Sequence, residues 1–202
     1  LDRLRGRLKG VKSDQPVVVF LSALARTGRA AEGPDADTVR ILVLPPDAPV
    51  DRLTGTPLRS VLEALKACRS RQKLLVLDLI RPLAAPERGV LVDDVATVLP
   101  HELEAVPDPG RLVLSACVPK QVAQVSEALG QSVFQHFVAE GLAGKADVRD
   151  PIGRVSAQEL AAYVRERVEA WTRYNLGIAQ TPTWTGPTGL DFTLVVLSRG
   201  RK

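Results

Sequence analysis

The chain has 202 residues and few side chains that could serve as a nucleophile, a general base or a soft metal ligand. Its cysteines are Cys68 and Cys117, and its histidines are His101 and His136. Two cysteines cannot form a four-thiolate zinc site, and nothing in the sequence pairs either cysteine with a histidine. Cys117 follows an apolar segment, where a free cysteine usually packs as a small hydrophobic residue. His136 lies on the apolar stripe of a predicted helix and His101 in a predicted polar turn between prolines, which are not settings typical of a general base.

A second candidate for chemistry is the stretch 147–159, which resembles a degraded calcium-binding loop. In the register that ends on Glu159, the first and fifth ligand positions fall on Val148 and Ile152, whose side chains carry no oxygen. The same stretch fits a helix start better, because Ser156 followed three residues later by Glu159 forms a capping box. We therefore predict a helix N-terminus here, no metal site, and no cofactor for the chain.

Composition and charge are those of an ordinary globular protein, with 45% hydrophobic and 25% charged residues. The net charge of +4 is concentrated at the ends, since residues 1–12 carry +4, residues 199–202 carry +3 and the body carries −3. A nucleic-acid-binding domain would carry basic residues on its folded surface, and aromatic residues are only 4% of the chain, so we predict no nucleic-acid partner. The longest apolar run, 16–25, has ten residues, about half of what spans a bilayer, which predicts no membrane contact by this segment.

Two further counts indicate the source and setting of the chain. Arginine outnumbers lysine 20 to 7, a bias that favours a GC-rich bacterial source. Methionine is absent, so we expect the chain to be part of a longer protein. We predict a cytoplasmic location, with any membrane tether of the parent protein lying outside this segment.

Short apolar segments alternate with helical patterns along the chain, which predicts an α/β fold. Short apolar runs predict strands at about 17–22, 39–44, 74–79 and 111–116, with a further strand near 192–197. Apolar residues at helical spacing predict helices over about 1–11, 58–65, 133–142 and 156–173. We expect one domain over 1–202, a three-layer α/β/α sandwich with a mainly parallel sheet, interrupted by loops at 26–37 and 81–89.

Four segments, taken in order, resemble the caspase and metacaspase superfamily. They are Val-Val-Val-Phe-Leu-Ser at 17–22, Leu-Leu-Val-Leu-Asp at 74–78, Leu-Val-Leu-Ser-Ala-Cys-x-x-x-Gln at 112–121, and a Phe-rich helix that ends in Glu-Gly-Leu at 140–142. Further matches are Leu-Pro-Pro-Asp-Ala at 44–48, the stretch 153–164, and Gln-Thr-Pro at 180–182. The resemblance covers 16–182 and looks nearest to bacterial caspase-like domains of large multidomain proteins. It leaves 1–15 as a leading helix with a basic tail and 183–202 as a C-terminal extension with a strand.

The resemblance implies a histidine–cysteine dyad that this chain lacks. In the family, the first matched strand is followed by Gly-His-Gly, whose histidine is the general base, and here these residues are Ala23, Leu24 and Ala25. The second matched strand is followed by the cysteine nucleophile, whose position is held by Ile80. Ile80 has no thiolate and Leu24 cannot accept a proton, so acyl-enzyme formation has no starting point. We expect both residues to lie side by side at the ends of adjacent strands and to seal the old cleft.

Part of the family's substrate pocket is retained by residue type. Asp78 stands where metacaspases place an acid that lines the pocket for a basic P1 side chain, and Ser115 and Gln121 match the Ser-x-Cys-x-x-x-Gln motif. The partner acid of that pocket is replaced by Lys120, which would repel a basic substrate. The resemblance therefore implies a vestigial substrate pocket at these four residues. An aspartate at a strand end also commonly stabilises a turn, and we favour that interpretation for Asp78.

The resemblance also implies that the family's first strands are missing ahead of Val17, which would leave the strand 17–22 without a neighbour at one edge. We predict a catalytically inactive caspase-like domain that acts as a binding or scaffold module, with an unidentified protein or peptide partner. The alternative is an active caspase-type or metacaspase-type cysteine endopeptidase with a relocated site. Leu24 and Ile80 at the dyad positions favour the inactive domain.

Overall fold

The computed structural model describes residues 1–29, 38–45, 55–80, 95–147 and 153–197. Helices span Asp2–Leu8 (α1), Leu58–Lys66 (α2), Val95–Ala105 (α3), Val133–Glu140 (α4) and Ala157–Leu176 (α5), with a π-helical turn at Gly141–Lys145. Strands span Val17–Arg29 (β1), Val39–Val43 (β2), Thr56–Pro57 (β3), Lys73–Ile80 (β4), Arg111–Ser115 (β5), Val125–Ser126 (β6), Gln131–Ser132 (β7), Arg154–Ser156 (β8), Thr183–Thr185 (β9) and Thr193–Val196 (β10).

Six of these strands form one sheet in the order β3-β2-β1-β4-β5-β9. Its three central strands are parallel, since β1 pairs with β4 from Val17↔Lys73 onward and β4 pairs with β5. The outer pairings, β1 with β2, β2 with β3 and β5 with β9, are antiparallel. The four strands predicted for one sheet therefore lie in one sheet, with the parallel centre that continuously apolar strands indicate.

Helices cover both faces of the sheet, which confirms the predicted three-layer α/β/α sandwich. On one face, α4 and α5 pack on even-numbered side chains such as Leu74 and Leu112, a cluster that we call the α4–α5 core. On the other face, α1, α2 and α3 pack on odd-numbered side chains such as Leu75 and Val113, which we call the α1–α3 core. Alternate residues enter opposite cores because successive side chains of a strand point to opposite faces.

Strand β1 is longer than predicted, because residues 26–29, expected to form a loop, continue the strand. This second half of β1 pairs antiparallel with β2, beginning at Ala25↔Val43. Pairing with a neighbouring strand stabilises this segment although it contains polar residues. A search for continuous apolar runs therefore misses it. The other predicted loop residues, 30–37 and 81–89, lie outside the described residues.

Helix α3 corrects the prediction that His101 lies in a polar turn. The segment Val95–Ala105 is helical although Pro100 lies inside it, and His101 is exposed on its surface. The buried residues Leu99 and Leu103, four positions apart, face the α1–α3 core. Their burial offsets the cost of a proline within a helix, which removes one backbone hydrogen bond.

The C-terminal segment 183–202, assigned to an extension, contributes to the main sheet through β9. The strand predicted near 192–197 forms as β10, but it pairs with β8 in a separate two-stranded sheet. The central sheet thus extends three residues beyond the boundary that the resemblance implied at 182. Residues 198–202 lie outside the described residues.

Helix α5 begins at the predicted capping box. Ser156 Oγ accepts a hydrogen bond from the Glu159 N–H at 3.2 Å, and Glu159 Oε2 accepts one from the Ser156 N–H at 2.8 Å. Asp147 Oδ2 accepts a hydrogen bond from the Gly153 N–H at 2.9 Å. The carboxylates at both ends of the calcium-like stretch therefore bond to backbone N–H groups, while residues 148–152 lie outside the described residues.

Candidate functional site

Leu24 and Ile80, the positions at which the resemblance leads us to expect the dyad, lie side by side at the carboxyl end of β4. Leu24 and Ile80 are registered partners in the β1–β4 ladder, as predicted. The preceding pair, Ala23 and Leu79, is also apolar. Leu24 and Ile80 are both half-buried, and Ile80 packs against the α4–α5 core. Both side chains are aliphatic and cannot ionise, and they remain partly exposed to solvent where a sealed cleft was expected.

Asp78 lies two residues before Ile80 on the same face of β4 and is fully buried. Its Oδ2 accepts a hydrogen bond from Ser132 Oγ at 2.6 Å and a longer one from Ser22 Oγ at 3.3 Å. Burial raises the pKa of Asp78, and the hydrogen bonds from Ser132 and Ser22 oppose that rise. Among the described residues, this aspartate bonds to side-chain hydroxyls of β1 and β7 and not to the backbone of a turn.

Ser132 connects Asp78 to helix α4. It is buried, and its Oγ accepts a hydrogen bond from the Gln135 N–H at 2.9 Å as the N-cap of α4 while it donates to Asp78. A serine directly before the apolar residues Val133 and Phe134 is a recognisable N-cap pattern, so the cap could have been predicted. Its bond to a residue 54 positions away could not, because no local pattern encodes it.

The sheet separates two of the predicted pocket residues. Ser115 is registered beside Leu77 in the β4–β5 ladder, so its side chain lies on the face opposite to that of Asp78. Ser115 Oγ lies 2.5 Å from Thr183 Oγ1 of β9 and links β5 to the edge strand. Asp78 and Ser115 therefore cannot line one pocket.

Gln121 and Lys120 lie in the segment that follows β5. Gln121 Oε1 accepts a hydrogen bond from the Thr181 N–H at 2.6 Å, and its Nε2 lies 3.4 Å from Thr181 Oγ1. The neighbouring Gln180 is fully buried and accepts a hydrogen bond from the Gln124 N–H at 2.9 Å. These glutamines attach the segment after β5 to the segment before β9. Lys120 is exposed and has a positive φ of 67°.

A cavity of about 320 Å³ opens between α3, the end of β5 and the residues around β9, and we call it the α3–β9 cavity. Its walls include Leu99 of α3 together with Ser115, Cys117 and Thr183. Cys117 is half-buried, and its thiol donates a hydrogen bond to the Gln121 carbonyl at 3.4 Å. Cys117 therefore lines a cavity and is not packed in the core as predicted. No local sequence pattern predicts this cavity, since its wall at α3 lies where the sequence favours a turn.

The histidines have other surroundings. His136 is half-buried on α4, where its ring meets that of Phe137 edge-on with centroids 5.0 Å apart. Its Nδ1 lies 3.3 Å from Gln131 Nε2, and its Nε2 lies 3.8 Å from Glu140 Oε1. His136 is thus a histidine at the edge of the α4–α5 core, as predicted, and the sheet separates it from the α3–β9 cavity. His101 lies on the exposed side of α3.

The described residues contain neither a metal-binding cluster nor a membrane-spanning helix. No group of three or more histidine, cysteine, aspartate or glutamate side chains in this part of the chain is placed to hold a metal ion. Within the same ranges, no helix combines the length and the apolar character needed to cross a membrane.

Comparison with known proteins identifies the fold. No protein-family model matches the chain, and a search of curated proteins finds no relative. Similar solved structures include the crystal structure of protein GSU0716 from Geobacter sulfurreducens, with a TM-score of 0.54 and 13% identity over 92% of this chain and 72% of that chain. Since so low an identity carries no information about activity, the likeness identifies this chain as an α/β/α sandwich and nothing narrower.

Proposed function

We propose that this chain is a catalytically inactive caspase-like domain that serves as a binding or scaffold module of a larger bacterial protein. The observation that carries the proposal is the registered pair of Leu24 and Ile80. A cysteine peptidase needs a thiolate next to a base, and neither of these side chains can ionise. The resemblance that places the dyad at these two positions is part of the proposal.

The hydrogen bonds of the predicted pocket residues support a loss of substrate chemistry. Asp78 is engaged by Ser132 and Ser22, and Ser115 contacts Thr183. A substrate that used these groups would have to displace internal hydrogen bonds, each of which contributes about 0.5–1.5 kcal/mol to the stability of the fold. These polar groups therefore serve the fold.

A binding role is supported by the α3–β9 cavity. Its volume of about 320 Å³ is within the usual range of ligand pockets, about 300–1,000 Å³. Its walls combine aliphatic side chains such as Leu99 and Leu103 with the hydroxyls of Ser115 and Thr183. Such a lining suits an apolar side chain of a peptide or protein partner, and the hydroxyls of Ser115 and Thr183 bond to each other in its wall.

The test of inactivity is a peptidase assay with substrates that carry Arg, Lys or Asp at P1, with and without calcium, together with a thiol-directed activity probe. We expect the rate of substrate turnover to equal that of the buffer control. We also expect no covalent labelling of the chain by a substrate-like probe. Loss of the nucleophile or the base in a serine peptidase lowers kcat on the order of 10⁶-fold, and we expect a loss of similar size here. Any calcium-dependent turnover contradicts the proposal.

The double variant Leu24→His with Ile80→Cys tests whether the scaffold retains the rest of the site. We expect little activity, because Ala23 and Lys120 also depart from the family's pattern. The single variants serve as controls, since each restores only one member of the dyad.

The alternative, a peptidase with a relocated site, has one observation in its favour, the position of Cys117 in the wall of the α3–β9 cavity. It predicts turnover by the unmodified chain that is abolished by Cys117→Ala. The buried Cys68, which packs in the α1–α3 core, provides the matched control through Cys68→Ala. Turnover that only the first variant abolishes would establish the alternative.

A further inference from the structure

The α3–β9 cavity has a floor of strand residues and a roof of helix residues. Its floor consists of alternate residues of β5 with their register partners on β9, which are Val113 with Thr185 and Ser115 with Thr183. Side chains of alternate strand residues lie on the same face of a sheet, so these four side chains share one face. The roof is α3, which contributes the buried Leu99. Recognition of a polar atom inside the cavity therefore depends mainly on the hydroxyls of the floor.

Ser115 and Thr183 bring two hydroxyl protons to this floor and use one of them. Their oxygens lie 2.5 Å apart, so one hydroxyl donates to the other. A hydroxyl has a single O–H donor, and the hydroxyl that accepts therefore keeps its own proton free. Neither side chain makes a second hydrogen bond within the part of the chain that the structure describes. The pair thus presents one O–H donor that has no acceptor there.

This free donor lies where solvent has little access. Ser115 is only 5% exposed, and it lines the cavity together with Thr183. A buried donor without an acceptor costs free energy, which a ligand that supplies an acceptor atom recovers. The ligand can accept this proton while the bond between Ser115 and Thr183 stays in place, so binding does not require that an internal hydrogen bond be broken.

The charged side chains of the cavity favour a neutral ligand. Arg111 donates to two backbone carbonyls near the end of α3, and its Nη1 is buried out of contact with solvent. Asp108 pairs with Lys73 at 2.6 Å. Glu104 is exposed on α3 at the cavity, where its charge repels a carboxylate. A neutral acceptor such as a carbonyl oxygen therefore fits the free hydroxyl proton better than an anion does.

We propose that the α3–β9 cavity binds a neutral acyl group. Its carbonyl oxygen accepts the free proton of the Ser115–Thr183 pair, and its aliphatic chain packs between Leu99 and Val113. This inference rests on the binding role proposed above and names the chemistry of what is bound. In a peptide or protein partner, the acyl group is an aliphatic residue together with its own backbone carbonyl.

Two small probes of the same shape test the role of the carbonyl oxygen. They are 2-hexanone and 2-methyl-1-hexene, in which a CH₂ group replaces that oxygen. Their dissociation constants for the whole chain are measured by NMR titration, and the quantity compared between variants is the ratio of the two constants. The probes differ in hydration, but this difference is the same for every variant and cancels in the comparison. We expect both probes to bind the wild type.

The count of hydroxyl protons predicts an unusual pattern among the variants. Ser115→Ala and Thr183→Val each remove one hydroxyl and leave the other with a free proton, so each single variant should keep the wild-type ratio. The double variant has no hydroxyl at this position, and its relative affinity for 2-hexanone should fall about tenfold. Thr185→Val makes the same change in the same floor and is the matched control, which should keep the wild-type ratio.

Each other result overturns the inference. A ratio that is unchanged in the double variant shows that the hydroxyl pair does not hold the carbonyl. A tenfold change in a single variant, or in Thr185→Val, contradicts the count of protons or the position of the carbonyl. If the wild type binds neither probe, the binding role proposed for the cavity is wrong as well, whereas the inactivity of the chain as a peptidase is a separate question.

A measurement on the wild type does not depend on the folding of a variant. In the complex with 2-hexanone, the methyl group next to the carbonyl should show nuclear Overhauser effects to the methyl group of Thr183. The methyl group at the other end of the probe should show them to Leu99. The reverse assignment overturns the inference. Displacement of 2-hexanone by N-acetyl-leucine methylamide indicates a peptide as the source of the acyl group, and its absence indicates a free acyl compound.

Discussion

Asp78 has two carboxylate oxygens with different surroundings. Oδ2 accepts hydrogen bonds from Ser132 and Ser22, whereas Oδ1 is buried without a hydrogen-bond partner among the described residues. An unpartnered buried oxygen favours the protonated acid, which agrees with the raised pKa of Asp78. The hydroxyl of Ser132 is the closer of the two donors and also caps α4, so this serine is the residue on which the local structure depends most.

Replacing the two serines one at a time should give unequal losses of stability. Ser132→Ala removes a helix cap and the closest hydrogen bond to a buried carboxylate, and we expect it to lower the free energy of unfolding by about 2–4 kcal/mol. Ser22→Ala is the matched control, since it removes a 3.3 Å bond to the same oxygen from an exposed serine, and should cost less than about 1 kcal/mol. Urea unfolding of both variants measures the difference, and equal losses would contradict it.

Asp78 should also make stability depend on pH. Because its pKa is raised in the folded state, the folded protein binds this proton more tightly than the unfolded chain does. The stability that it contributes is fully present below the unfolded-state pKa, about 3.9, and is lost as the pH rises through the folded-state pKa.

Asp78→Asn removes this titration. We expect the variant's free energy of unfolding, relative to that of the wild type, to increase as the pH rises through that window and then to become constant. Unfolding curves at several pH values test the sign. If the free energy of unfolding of the variant minus that of the wild type decreases as the pH rises, the pKa of Asp78 is lowered in the folded state.

The two helices of the α4–α5 layer begin in the same way. Each follows a short strand whose last residue is a serine, Ser132 before α4 and Ser156 before α5, and each serine accepts a hydrogen bond from the backbone three residues on. Only α5 adds the reciprocal bond from Glu159. The short strands and the caps together determine the residue at which each helix begins and the helix face that packs on the sheet.

The cap of α5 should contribute measurably to stability. Ser156→Ala removes the hydroxyl that accepts from the Glu159 N–H, and a lost N-cap typically costs about 1 kcal/mol. Glu166→Ala, at an exposed position in the same helix, is the control and should change stability by less than about 0.5 kcal/mol. Thermal or urea unfolding distinguishes the two, and equal effects would show that the cap has no special role.

The two ends of the central sheet are built differently. At the amino end of β4, the buried Lys73 contacts Asp108 at 2.6 Å and donates to the Leu65 carbonyl. Arg111, at the start of β5, is buried beside them and donates to the Leu103 and Val106 carbonyls. The carboxyl end instead holds the pair of Leu24 and Ile80, the buried Asp78 and the α3–β9 cavity. Sites of open α/β sheets form at that end, so buried ion pairs and backbone contacts at the amino end are consistent with a binding role for the other.

The amino-acid sequence determined the strands and most helices of this protein because their signals are local. The apolar runs at β1, β4 and β5 and the capping box at Ser156 are read within a few residues. The absence of ionisable side chains at Leu24 and Ile80 is likewise a property of the residues themselves. Local patterns failed at the second half of β1 and at α3, where a strand partner and burial outweighed polar residues and an internal proline.

Only the tertiary structure decided how these residues meet. The register of β1 on β4 placed Leu24 beside Ile80, and the alternation of side chains put Asp78 and Ser115 on opposite faces of the sheet. The bond from Ser132 to Asp78 also depends on which distant segments pack together. Such contacts are selected by the burial of surface shared between remote parts of the chain, a free energy that no short segment carries by itself.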